Sequence, residues 1–94
     1  MNFDSVGCYI KESDFEDADL IITIFISCYL TGANFRYTTL YRAELIQADL
    51  TGADLTGADL TGANVEDANF KDVIGLKKTK GFDKVLGKCR NCGM

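Results

Sequence analysis

The chain repeats itself every five residues. From Ala48 it reads ADLTG ADLTG ADLTG ANVED ANFKD, and the same frame runs back through AELIQ, TTLYR, ANFRY, CYLTG, TIFIS, ADLII and SDFED to CYIKE at Cys8. Thirteen consecutive units span residues 8–72 of the 94. The centre of every unit is apolar, from Ile10 and Phe15 through Leu40 to Phe70, and the residue two places earlier is always small, from Cys8 to Ala68. Self-similarity over so much of a chain is the signature of a solenoid, in which each unit buries its apolar side only by stacking on its neighbours.

A period of five suits neither regular element. On a helix, five steps turn the apolar position by about 140°, so no face collects it. On a continuous strand five is odd, and successive centres would point to opposite sides. A corner in every unit resolves the conflict. Each unit is then a short extended side whose small and central residues point inward, and its last two residues make the turn. Glycine at the last place in units ending at Gly32, Gly52, Gly57 and Gly62 fits a corner that needs positive φ. The Asp or Asn that often precedes the centre can bond nearby backbone amides and hold that turn.

These units resemble the pentapeptide-repeat family, whose consensus is close to A(D/N)LXX. The resemblance implies an all-β fold, a right-handed quadrilateral β-helix with four units per coil, here a little over three coils. At the usual strand spacing of ~4.8 Å the repeat body would be on the order of 15 Å long. Phe3, Ser5 and Gly75 do not continue the frame.

Twenty residues per coil make residues i and i+20 stacked neighbours. The centres then form four apolar columns, Ile10/Leu30/Leu50/Phe70, Phe15/Phe35/Leu55, Leu20/Leu40/Leu60 and Phe25/Leu45/Val65. These are expected to be core. Cys8 comes under Cys28 at a spacing within reach of a disulfide, although parallel side-chain directions disfavour one. Two buried free thiols are the expectation. Outward positions such as Thr56 are expected to tolerate substitution.

The most apolar run, LIITIFISCYL from Leu20 to Leu30, is too short to span a membrane, which takes ~20 residues. In frame, Thr23 and Phe25 point inward, but Ile21, Ile22, Ile24 and Ile26 take outward positions, with Tyr41 and Ile46 stacked over the first and last of them. The six are expected to form an interaction patch centred on Tyr41 and Ile26, because contiguous exposed apolar surface marks an interface. The alternative is that the N-terminal arm, with Phe3 and Val6, folds over part of it. Tyr9 and Tyr29 form a second outward column, and Tyr37 is a further exposed aromatic.

The chain reads as one domain over residues 1–94, with the solenoid at 8–72 and a basic tail at 73–94. Residues 1–72 carry thirteen acids and four bases, net −9, while the tail carries six bases and one acid, net +5, for a total of −4. Phe82, Val85 and Leu86 have helical spacing and are expected to form a short capping helix over the open end. Cys89 and Cys92, as C-x-x-C, are a weak zinc candidate; no His completes a site, and a local redox pair or a flexible tail is the alternative reading.

No histidine, phosphate-cradling loop or nucleophile with a base is visible, so no enzyme, cofactor or metal is expected. The N-terminus shows no secretory pattern, and thiols in a reducing, cytoplasmic compartment are expected. The function that follows is a non-catalytic protein-interaction scaffold, self-associating or docking a protein partner, with no direct nucleic-acid or membrane contact. The resemblance implies an alternative, since some acidic family members mimic duplex DNA and bind type II topoisomerases.

Overall fold

A computed structural model describes residues 4–92, and the chain coils as its period demands. Parallel bridges recur every five residues and join partners twenty apart: Tyr9 to Tyr29, Asp14 to Asn34, Asp19 to Thr39, Ile24 to Glu44, and onward to Asp49 and Asn69. Four bridged columns run along a right-handed β-helix. Among the described residues two stretches are long enough to count as strands, β1 (Asp4–Val6) and β2 (Ile24–Ile26), which pair in parallel. Ser5 aligns with Phe25, so the backbone frame does reach back beyond Cys8. The expectation that the frame stops short of Ser5 was too narrow, because pairing needs only backbone. Phe3 lies outside the described residues.

Leu40 illustrates how one unit is held. Its amide donates to the Asp59 carbonyl at 2.8 Å, and Asp59 donates back to Thr38 at 2.9 Å, both one coil away. The corner closes with the Ala43 amide on the Leu40 carbonyl at 3.0 Å. The second corner residue takes a left-handed conformation, and most units manage it without glycine, as Arg42 does with φ 58°. Inside, the small and central residues from Leu20 to Phe70 are buried. Phe15 and Phe35 stack at 5.1 Å between centroids, and Phe25 meets both rings edge-on at 6.0 and 6.2 Å.

The capping helix expected at Phe82, Val85 and Leu86 does not form. The tail instead continues the four columns, with Ile74, Lys80, Leu86 and Arg90 bridged to Asp54, Asp59, Asn64 and Asn69. Its first three bridged residues are spaced by six, and two single 3-10 turns, Leu76–Lys78 and Phe82–Lys84, take up the extra residue. Gly75 and Gly81 precede these turns with φ near 75°, and Val85, extended at ψ 156°, ends the second turn after Lys84 so that Leu86 can bridge Asn64. Leu76, Phe82 and Val85 still pack on the end of the core, Phe82 at 5.8 Å from Phe70. The end is covered by a coil.

Both cysteine pairs are joined, Cys8 to Cys28 with Cα atoms 4.5 Å apart and Cys89 to Cys92 at 6.0 Å. The expected pair of buried thiols is thus corrected: direct stacking brings Cys8 and Cys28 close enough to bond despite their parallel directions. Titration of the unfolded chain without reductant is expected to find no free thiol; two reactive thiols would restore the original reading.

Candidate interaction surface

The coil sorts its outward residues onto four sides and four corners. On one side, the column from Asp4 in β1 passes through Ile24, Glu44 and Asn64 to Leu86. The corner before this side holds Ile21, Ile22, Tyr41 and Arg42; the corner after it holds Ile26 and Ile46. All six residues of the expected patch therefore share one side and its two corners.

They are not equally exposed. Ile22 is 59% accessible, while Ile21 and Tyr41 stand at 37% and 38%. Ile24, Ile26 and Ile46 are half-buried, so exposure among the six is greatest at Ile22 and not at Ile26. Backbone pairing with β1 lies along the lower edge of β2. Of the arm expected to fold over the patch, Phe3 lies outside the described residues.

Sequence reasoning missed Leu86, which it had turned inward on a helix. Leu86 is 58% exposed and lines one shallow groove with Ile22, Arg42, Glu44 and Gly62. Ile74, 54% exposed, stands on another side. A signal for both was present: glycines recur at 75, 81 and 87, each just after a bridged residue, and mark corners spaced by six. Tyr41 carries the Arg42 guanidinium over its ring at 5.5 Å, and Tyr37 likewise holds Arg36 at 5.6 Å. The outward Tyr9/Tyr29 column forms as a stacked pair at 4.5 Å.

The corner of Ile22 has a further property. Its φ is 59°, a left-handed conformation that a β-branched side chain adopts at a cost of roughly 1–2 kcal/mol. Other units place Gly, Asp, Glu, Ser, Arg, Gln or Tyr at this position.

Apart from Ile74 and the tyrosines, the remaining sides carry polar residues committed within the coil. Asp49, Asp54 and Asp59 each accept both the amide and the hydroxyl of the threonine two residues on, the hydroxyls at 2.6 Å. Burial raises the Asp54 and Asp59 carboxyls, but the bonds from Thr56 and Thr61, with Arg36 and Lys80 nearby, outweigh it and hold both below the ordinary carboxylate range. Such groups stay ionised and do not exchange protons near neutrality. Thr56 is accordingly half-buried and bonded, and a carboxylate placed there would face Asp54, so the expectation of easy tolerance is corrected. Cys89 and Cys92 are joined to each other, and among the described residues no group of three or more His, Cys, Asp or Glu side chains gathers in metal-binding geometry. No helix among them is long and apolar enough to cross a membrane.

Comparison with known proteins agrees with this architecture. A family model described as pentapeptide repeats matches residues 13–52 and 40–74 in eight copies. The crystal structure of a pentapeptide repeat protein from the Arabidopsis thaliana thylakoid lumen superposes with a TM-score of 0.70 at 42% identity, covering 71% of this chain and 46% of that one. QnrB1, a plasmid-mediated fluoroquinolone resistance protein, shares the fold with a TM-score of 0.68 at 20% identity, over 94% of this chain and 55% of that one. The chain thus spans about half the length of these solved structures. Among curated proteins no match is found. None of these likenesses names a catalytic family. With thirteen units in frame, four bridged columns and a matching family model over most of the repeat, the chain belongs to the pentapeptide repeat family.

Proposed function

We propose that the chain is a non-catalytic scaffold that docks a protein partner, or a second copy, through the side bearing Ile21, Ile22, Tyr41 and Leu86. The observation that carries this reading is Ile22. It is 59% exposed, so it gains little from burial, and its backbone conformation disfavours an isoleucine; folding alone does little to explain its presence. A residue that costs stability where it stands is explained by a contact outside the coil.

Ile22→Gly separates the two roles. Glycine relieves the left-handed corner, so the variant is expected to melt a few degrees higher while losing partner binding. The measurement pairs a thermal melt with a pull-down from host extract. Unchanged capture, or a lower melting temperature, would sink the reading.

The alternative, a DNA mimic that binds a type II topoisomerase, draws on the acidic repeat body and on the fold shared with QnrB1. It fits less well. The longest dimension is 26 Å, room for roughly 15 phosphate charges at one per ~1.7 Å of duplex, and one end of the molecule is positively charged.

A further inference from the structure

The two disulfides stand at opposite ends of one column. Cys8, Cys28, Ala48, Ala68 and Cys89 each precede a residue of the bridged series Tyr9, Tyr29, Asp49, Asn69 and Arg90, so Cys89 is the last small residue of the column that Cys8 opens. The two bonds do different things. Cys8–Cys28 ties one coil to the next across twenty residues, and Cys28, at 1% exposure, lies in the core. Cys89–Cys92 closes within a single turn and ties no coil to another, and its short loop constrains the unfolded chain less. Both of its cysteines are half-buried, and no coil is bridged above them among the described residues.

The turn that carries the second pair is held by groups other than sulfur. The Arg90 amide donates to the Ala68 carbonyl at 2.7 Å, and the Phe70 and Asp67 amides donate to the carbonyls of Arg90 and Lys88, each at 2.8 Å. Asn91 takes a left-handed φ of 59°, and its side-chain amide donates to Asn69 Oδ1 at 2.9 Å. These bonds keep the two cysteines side by side when the disulfide opens, ready to close again. Lys88 and Arg90 flank Cys89 in the chain, and cations beside a thiol favour its thiolate. The acids of this region belong to the coil below: Glu66 accepts the Lys88 amide at 3.0 Å, and Asp67 lines a shallow cleft with Gln47 and Arg90.

We infer that Cys89–Cys92 is a thiol–disulfide exchange site whose substrate is the dithiol of another protein. A partner thiol, its proton lost to water, attacks Cys92 Sγ and forms a mixed disulfide. The Cys89–Cys92 bond breaks, and its electron pair stays on Cys89 as a thiolate between the two basic residues. The partner's second thiol, likewise deprotonated, attacks the partner sulfur of the mixed disulfide and releases Cys92, and both cysteines take up protons. The partner is oxidised to a disulfide as this pair is reduced, with two electrons and two protons transferred in all. Cys8–Cys28 takes no part. Attack at Cys8 leaves a Cys28 thiolate in the apolar core, where it is a poor leaving group, and Cys28 itself is out of reach.

The oxidised full chain, incubated with reduced thioredoxin as the protein dithiol, tests the assignment. Alkylation followed by mass spectrometry is expected to find Cys89 and Cys92 reduced at least ~10-fold faster than Cys8 and Cys28. A thioredoxin variant lacking its second cysteine is expected to stop at the mixed disulfide, with the adduct on Cys92. Lys88→Gln/Arg90→Gln is expected to slow the reaction by ~3-fold or more, because the leaving thiolate loses its cations. A purely structural disulfide would behave otherwise in two further measurements. Cys89→Ser/Cys92→Ser is expected to melt within about 2 °C of the parent, and the Arg90 amide is expected to keep its hydrogen-exchange protection after the pair is reduced. Reduction of both pairs at one rate, a pair that thioredoxin leaves oxidised, an adduct on Cys89, an unchanged rate in Lys88→Gln/Arg90→Gln, a large fall in the serine variant's melting temperature, or loss of Arg90 protection would each overturn it.

Discussion

Leu40→Asp is expected to abolish cooperative unfolding, leaving a chain without the native circular dichroism signal at 25 °C. Leu40 is fully buried between Leu20 and Leu60, and no polar side chain shares that column. Deleting the leucine side chain removes about 2–5 kcal/mol of packing. The buried carboxyl, even after taking up a proton, adds roughly 2–7 kcal/mol for lack of a partner. A domain of this size holds only ~5–14 kcal/mol in total. Lys84→Asp, on an exposed residue, is expected to stay within about 0.5 kcal/mol of the parent. Similar losses for both would contradict the division into inward and outward positions.

Gly81→Val is expected to release the tail from the solenoid. Gly81 has φ 73°, and a Cβ there would lie 2.8 Å from the Thr61 Cα, so backbone must move in addition to the conformational cost of about 1–2 kcal/mol. The melting temperature is expected to fall by about 10 °C or more. Hydrogen exchange reads the location of the damage: the amides of Lys80 and Leu86, bonded to Ala58 at 2.7 Å and Ala63 at 2.8 Å, lose protection while that of Leu40 keeps it. Gly52 shares the conformation at φ 71° but has open space around its missing Cβ, so Gly52→Val is expected to show only the conformational part. Equal effects at the two glycines would remove the close approach from the explanation.

The body of the fold was legible because one constraint repeats: a centre such as Leu40 and a small residue such as Thr38 must both point inward in every unit, and only a cornered coil satisfies that. The tail was harder to read because after Ile74 its spacing lengthens to six, which takes Lys80 and Leu86 out of the five-residue frame, and because Phe82, Val85 and Leu86 happen to share helical spacing. Exposure within the patch was not legible either. Ile22 and Ile26 both point outward, yet the fold buries half of Ile26 and leaves Ile22 open at its corner. The sulfur pairing was misjudged on chemistry, since compartment was weighed above proximity.

The twenty-residue interval between bonded partners also governs the order in which such a chain can become structured. Apart from the corner bonds, an emerging segment has nothing to pair with until the segment twenty residues later exists. The first closed circuit must overcome a loop-closure entropy of about 2–3 kcal/mol beyond a constant term before any ladder bond rewards it. Later residues lie down on an edge already in place, and each unit adds its bonds without closing a new loop from the open chain. Folding is therefore slow to start and directional once begun, a zipper whose first tooth is the difficult one.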